Sequence, residues 1–478
     1  MGTPSAVNAA QRAYREARIA HWDAVAVKRD SWRGWGAGYH ARLREIYRFL
    51  VPPALRVLEI GCGAGDLLAA VQPDRGVGID FSGEMILRAR SKHPDLEFCE
   101  ADAHDLASVA GPFDVIILSD ALNDLWDVQG ALQQLKPLCT PSTRLVINFH
   151  SGLWQLPLAL AQWLNLASPM LPQNWFTPDD ARGMLRLAGF ETIRSWHEIL
   201  WPFGLGGFFN KVLVRFWPFS QFALTNFMIA RPQPVPAVED PTVSVIVPAR
   251  NEAGNINAIF ERTPRMGRET ELILVEGHSR DDTAAAIERE IAARPELRAC
   301  LLRQSGIGKA DAVRQGFSAA SGEILMILDA DLTVPPEDLP RFLEALRSGQ
   351  GEFINGVRLV YPMERQAMQG LNFMGNKLFS MAFSWILGQP LKDTLCGTKA
   401  LWKKDYELIA SNRGYFGEFD PFGDYDLIFG AAKLNRKIID LPIRYRERTY
   451  GATNISRWRH GFLLFQMVLV AARRLKFV

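Results

Sequence analysis

Gly322-Glu323-Ile324-Leu325-Met326-Ile327-Leu328-Asp329-Ala330-Asp331 is an apolar run of strand length that stops at two carboxylates one residue apart. It reads as a buried parallel strand whose C-terminal tip presents acids to a crevice. Alternate residues of an extended chain share a face, so Asp329 and Asp331 are expected to share one divalent ion. Hard cations such as Mg2+ prefer carboxylate oxygens and keep free positions for substrate phosphates. Acids also end many strands as plain turn formers, so the neighbouring segments decide.

Upstream, Val243-Ser244-Val245-Ile246-Val247-Pro248 is a second buried strand, leading to Ala249-Arg250-Asn251-Glu252. A third, Glu271 to Val275, delivers Glu276-Gly277-His278-Ser279-Arg280-Asp281. The turn Gly306-Ile307-Gly308-Lys309 and a helix from Ala310 to Ala320 then precede the acidic strand. This order resembles glycosyltransferase family 2, the inverting GT-A enzymes, over about residues 241–455. The resemblance implies that Pro248, Asn251, Glu252, Glu276 and Asp281 shape the pocket for the nucleoside of a nucleotide sugar, with Lys309 beside it. It also implies that Asp329 and Asp331 are catalytic residues that hold Mg2+ or Mn2+ and the sugar diphosphate. The paired acids usual on the second strand are reduced to Glu276 followed by Gly277, which leaves the base undefined. A metal held by carboxylates would neutralise the charge developing on the leaving diphosphate. The lack of any Cys or His cluster agrees with hard-oxygen metal binding.

Downstream, Gln366 to Leu387 reads as a largely apolar helix. Lys392-Asp393-Thr394-Leu395-Cys396-Gly397-Thr398-Lys399 looks like a segment of polyprenyl-phosphate sugar transferases. In Phe419-Asp420-Pro421-Phe422-Gly423-Asp424-Tyr425-Asp426, where other members place a catalytic acid, Asp424 and Asp426 are both candidates, and both could simply cap the helix Leu427 to Lys433. A lipid phosphate is already anionic and needs no base, whereas a saccharide hydroxyl, the alternative acceptor, does. The tail alternates arginines and Lys476 with the apolar run Phe462 to Val470. That pattern suggests an interfacial helix on an anionic membrane, with Arg444, Arg448 and Arg457 gripping the acceptor phosphate. The other reading is a helix packed on its own domain.

In the N-terminal half, Arg56-Val57-Leu58-Glu59-Ile60 runs into Gly61-Cys62-Gly63-Ala64-Gly65-Asp66. Glycines there let a backbone approach a ligand, and the next helix offers its positive end. Further strand ends follow at Asp80, at Asp102, at Asp120 and after Arg144 to Asn148, so strands alternate with helix-like segments in a doubly wound pattern. The ladder Glu59/Gly61/Gly63/Gly65, Asp80, Asp102 and Asp114 resembles a class I S-adenosylmethionine-dependent methyltransferase over roughly residues 40–230. The resemblance implies that Glu59 and the glycine turn bind the methionine end, Asp80 the ribose, and Asp102 with Ala103 the adenine edge. Asp120, His104 and His150 lie near strand tips as candidate bases. Residues 1–50 read as a helical cap, or as the aromatic-basic lining of a substrate entrance. The tryptophan-rich stretch 151–222 reads as an acceptor-side cover, or as an apolar patch for a lipid surface.

The expected architecture is therefore α/β, with a Rossmann-like methyltransferase fold followed by a GT-A fold. Its divisions are a cap at 1–50, one domain at 51–231, a proline-rich linker at 232–241, a second domain at 242–455 and a basic amphipathic helix at 456–478. A chain of 478 residues is too long for one core. A net charge of +2 argues against nucleic acid as partner. Five scattered cysteines without CxxC spacing suggest a reducing compartment. No secretory signal and no run of membrane-spanning length are seen, so a cytoplasmic protein is expected, peripheral on the membrane's cytoplasmic face. The reading is a bifunctional transferase; a rival of another class makes the first domain a non-catalytic cofactor-binding or docking module.

Overall fold

The computed structural model describes residues 4–28, 37–164, 171–203, 206–361, 370–415, 425–448, 450 and 457–478. It divides into two compact units, Met1–Gln233 with Phe477–Val478, and Pro234–Lys476.

The first unit holds strands β1 (Arg56–Ile60), β2 (Arg75–Asp80), β3 (Glu97–Glu100), β4 (Phe113–Ser119), β5 (Cys139–His150), β6 (Phe190–Glu198) and β7 (Thr225–Pro232). They form one sheet in the order β3-β2-β1-β4-β5-β7-β6. The first five are parallel, while β7 runs antiparallel between β5 and β6. Chain order reverses between β1 and β4, so the crevice beyond their C-terminal ends is where a ligand is expected.

The second unit repeats the plan with β8 (Val243–Ala249), β9 (Thr270–Glu276), β10 (Arg298–Arg303), β11 (Ile324–Ile327), β12 (Phe353–Val357), β13 (Lys399–Trp402) and β14 (Ile438–Pro442). The order is β10-β9-β8-β11-β13-β12-β14, with β13 antiparallel to both neighbours. The reversal here lies between β8 and β11.

Strand periodicity explains why these segments read as unbroken apolar runs. Val243, Val245 and Val247 enter the core on one face of the second sheet with Ile324 and Met326, while Ile246, Leu325 and Ile327 enter the core on the other. Helices cover both faces, so nearly every position on these strands is apolar; the buried exception, Ser244, donates its hydroxyl to Glu271. The sheet ladder stops at Ile327, before the acids. Leu328, Ala330 and Leu332 stay in the first core, which turns Asp329 and Asp331 away from it.

The N-terminal fifty residues supply helices Pro4–Lys28 and Ala37–Leu50. Leu43, Ile46, Tyr47 and Leu50 of the second helix pack into the core under β1 and β4. At the other end of the chain, helix Arg457–Ala471 is apolar on two sides. Leu464, Met467 and Ala471 are buried, while Phe462, Phe465 and Leu469 are 62%, 53% and 54% exposed. Among the described residues, no helix is long and apolar enough to cross a membrane.

Candidate active sites

In the first unit, β1 delivers Glu59 and then a turn in which Gly61, Gly63 and Gly65 all have positive φ, at 73°, 50° and 77°. A side chain at such φ is strained, and at Gly65 it would also strike the Phe98 ring. Asp80, at the tip of β2, accepts the Gly63 amide at 2.9 Å and the Ser82 amide at 2.9 Å. Burial pushes its carboxyl above the ordinary range, opposed by those two amides. Glu59 is buried and one of its oxygens, Oε2, has no hydrogen-bond partner. Burial pushes it well above the usual carboxylate range. Glu59, Gly61, Gly63 and Asp80 line a cavity of about 380 Å³.

The cavity's other wall was only partly legible. His21, Trp22, Tyr39, His40, Leu43 and Arg44 line it, so the N-terminal helices both pack on the core and shape the site. The Tyr39 hydroxyl donates to Asp120, 2.8 Å from Oδ1 and 2.9 Å from Oδ2. Asn148 Nδ2 donates to the same Oδ1 at 2.6 Å. His150 Nε2 lies 3.8 Å from that oxygen and 3.5 Å from the Tyr39 hydroxyl. Asp120 and His150 had strand-tip positions to signal them; Asn148 was read only as the end of a strand, and Tyr39 only as part of the segment 1–50.

Ala103 lines the cavity, but Asp102 does not. Asp102 accepts from His104 Nδ1 at 2.7 Å and pairs with Arg15 Nε at 3.1 Å. His104 Nε2 in turn accepts the Asp127 amide at 3.1 Å. Both ring nitrogens of His104 are thus engaged, which selects the Nδ1–H tautomer and makes the residue a strut of this loop.

In the second unit, the tips of β8 and β11 bring Glu252 and Asp331 onto one cation. Arg448 approaches Asp331 Oδ2 at 2.6 Å and Glu252 Oε1 at 3.2 Å. Thr333 donates to Asp331 from both its amide and its hydroxyl. Asp329 instead meets Lys309 Nζ at 2.5 Å. Burial alone would raise the Asp329 carboxyl; the nearby charges of Lys309, Lys399 and Arg358 hold it below its ordinary range. A Cβ at Gly397 would collide with both Lys309 and Asp329, so this glycine makes room for their pairing. Lys399 and Arg358 went unrecognised, although Lys399 and Gly397 stand in the 392–399 segment already singled out.

Among the described residues, no three His, Cys, Asp or Glu side chains gather as a metal cage. A Mg2+ site of one or two carboxylates plus substrate phosphates needs none. Asp331 and Glu252 already attract a cationic group, so their oxygens suit such an ion.

Residues 35–195 match the family model described as Methyltransferase domain, and residues 244–409 match Glycosyl transferase family 2. One chain joins a methyltransferase domain to a family 2 glycosyltransferase domain. Both are transferase families. A curated relative named undecaprenyl-phosphate 4-deoxy-4-formamido-L-arabinose transferase, from Edwardsiella ictaluri, is 27% identical over 231 residues. The alignment takes in 47% of this chain and spans 66% of the relative's length. A solved glucosyl-3-phosphoglycerate synthase from Mycobacterium tuberculosis, in complex with Mn2+ and UDP, is 20% identical. It covers 49% of this chain and 80% of its own, with a TM-score of 0.36. Magnesium protoporphyrin IX methyltransferase from Synechocystis, solved with bound SAH, is 16% identical at a TM-score of 0.33, covering 46% of this chain and 100% of its own.

The remaining positions of the glycosyltransferase domain fall in several places. Pro248 lies near the end of β8. Asn251, at φ 56°, accepts the Arg280 amide at 2.7 Å, and Glu276 accepts the Ser279 amide at 2.5 Å. Asp281 accepts from the Ala253 amide and from Thr283. Asn251 and Asp281 therefore tie the β8 and β9 loops together, and Glu276 braces the β9 loop on itself. Asp426 is buried between Arg314, at 3.0 Å, and Arg413, at 3.3 Å. Asp424 lies outside the described residues, as does the side chain of Arg457. Arg444 is exposed over the Tyr361 ring, whereas Arg448 turns inward onto the acids.

Proposed function

We propose that this chain is a bifunctional transferase, with catalytic domains at 51–231 and 242–455. The first uses S-adenosylmethionine as methyl donor. The second transfers a sugar, with inversion, from a nucleotide sugar to a polyprenyl phosphate, and needs Mg2+ or Mn2+.

In the methyltransferase domain the glycine turn lets the donor approach the backbone, and Asp80 faces its ribose hydroxyls. Glu59 Oε2, buried without a partner, suits the amino group of the methionine end. In the glycosyltransferase domain the observation that carries the reading is the convergence of Glu252 and Asp331 on a single cation at the β8–β11 reversal. A divalent ion, when bound, supplies neutralisation of the leaving diphosphate. Asp331 and Asp329 offer it oxygen ligands. Lys309, paired with Asp329 and partly exposed, offers positive charge beside the acids, which suits the diphosphate itself. Asn251, Glu276 and Asp281 hold the loops where a nucleoside would sit.

The relative named as an undecaprenyl-phosphate transferase supports a lipid phosphate acceptor, which carries its own negative charge and requires no general base. The exposed apolar rows of Phe462, Phe465 and Leu469, and of Met374, Leu378 and Met381 on helix Gly370–Leu387, support peripheral attachment to a lipid surface. Arg444, Arg448 and Arg457 remain the acceptor-phosphate candidates of this reading.

The test is incubation of the full chain with nucleotide sugars and undecaprenyl phosphate, read by mass spectrometry. The proposal expects a sugar-phosphate lipid whose formation stops in excess chelator. Transfer to saccharide hydroxyls alone, or full activity in chelator, would overturn it.

A further inference from the structure

We infer that Tyr39, Asp120 and His150 form a deprotonating site in the first domain, which makes its methyl acceptor a hydroxyl carried on an apolar body, such as a phenol. The inference rests on the methyltransferase reading above and deepens it.

The cluster stands where the acceptor must come. Asp120 directly follows β4 and His150 ends β5, and both line the cavity that also holds the glycine turn. A Cβ at Gly61 would stand 3.4 Å from that of Ala121, so the turn and the acidic strand tip are in van der Waals reach. The lining is apolar over most of its area, with Trp22, Leu43, Leu125 and Leu171 contributing and His21, His40, Arg44, Asp124 and Gln173 among them. A mostly apolar pocket with a few converging polar groups is suited to a ligand with one polar function.

The cluster is also held in place from behind. The buried Tyr47 hydroxyl donates to Asn148 Oδ1 at 2.7 Å, and Asn148 donates onward to Asp120. With the Tyr39 hydroxyl shared between its oxygens, Asp120 accepts hydrogen bonds on both. Its φ of 56° is left-handed, a conformation that aspartate tolerates better than most residues. The His150 amide is fixed by Asn123 Oδ1 at 3.0 Å, and its Nδ1 is buried without a partner. Nε2 is then the nitrogen turned to the polar groups. An imidazole that takes a proton there gains a carboxylate 3.8 Å away.

The step balances simply. The acceptor O–H bond breaks and its proton passes to His150 Nε2. The oxygen's electron pair forms the O–CH3 bond, and the methyl–sulfur bond breaks with its pair leaving on the thioether. His150 receives the proton; Asp120 stabilises the imidazolium; Tyr39 and Asn148 are positioning residues.

The test uses the full chain loaded with S-adenosylhomocysteine and 4-nitrophenol, a phenol that is coloured only as its phenolate. The account expects bound nitrophenol to show phenolate absorbance about one pH unit below the ionisation of the free compound, equivalent to a roughly tenfold shift in its acid constant. His150→Asn should abolish that shift. Tyr39→Phe, which keeps the ring and its packing, should reduce it. If wild-type protein binds S-adenosylhomocysteine by calorimetry but its nitrophenol stays protonated, or ionises equally in His150→Asn, the inference fails. If wild-type protein binds no S-adenosylhomocysteine, the methyltransferase reading fails first and takes this inference with it.

Discussion

The two sites use the same scaffold and opposite electrostatics. Each sits beyond the strand tips where the order of a seven-stranded sheet reverses. In the methyltransferase domain the two buried acids at the glycine turn face neutral groups: Asp80 takes two backbone amides, and Glu59 leaves one oxygen unused. In the glycosyltransferase domain acid meets cation repeatedly, as Asp331 and Glu252 with Arg448, Asp329 with Lys309, and Asp393 with Arg358. The first arrangement suits hydroxyls and an ammonium; the second suits a metal and a diphosphate. Topology sets where a ligand can bind, and the charge partners of the strand-tip acids set what binds there.

Four outcomes would sharpen or break that contrast. The largest concerns Arg358, which chelates the buried Asp393 at 2.8 and 2.9 Å. Arg358→Ala leaves that carboxylate without its cation and should cost roughly 3–5 kcal/mol of stability, read by denaturant unfolding. Next, Asp331→Ala should lower sugar transfer by about 10²–10³, or roughly 3–4 kcal/mol of transition-state stabilisation, while leaving S-adenosylmethionine affinity unaltered.

A third outcome concerns acid. The Asp393 carboxyl, although buried, is held down at about 2 by Arg358 and Asn376, below its ordinary 3.8. A depressed carboxyl supplies stability that is complete above its unfolded value and lost as pH falls through the folded one. The glycosyltransferase domain should therefore lose roughly 2 kcal/mol between about pH 4 and pH 2. Arg358→Ala should remove that pH dependence. The smallest outcome is on the neutral side of the comparison. Asp80→Ala should weaken S-adenosylmethionine by roughly 1–2 kcal/mol in calorimetry, since the bonds lost go to neutral groups, the ribose hydroxyls and the Gly63 and Ser82 amides.

What could be read in the sequence follows from physics that acts locally. Runs such as Val243 to Val247, broken only by Ser244, and Ile324 to Leu328 are apolar because both sheet faces are covered, and the second ends in acids at a ligand-facing tip. Strands β6, β12, β13 and β14 carried no comparable signal; β13 and β14 are short, and β6 is only partly buried along one edge. What could not be read is which partner a site residue takes, because the partners are distant in sequence. Tyr39 reaches Asp120 across 81 residues, and Arg448 reaches Glu252 across 196. Nothing in the pattern around either residue marks it for that partner. The alternation rule turned Asp329 and Asp331 off the same core face, yet it could not tell that one would meet a lysine and the other an arginine.

The most direct test of the contrast titrates the full chain with S-adenosylhomocysteine and, separately, with a set of nucleoside diphosphates, each with Mn2+ and in excess chelator, by calorimetry. The account predicts that S-adenosylhomocysteine binds equally in both conditions, while a nucleoside diphosphate binds strongly only with Mn2+. Nucleoside diphosphate affinity that is unchanged by chelator, or S-adenosylhomocysteine binding that requires the metal, would contradict it.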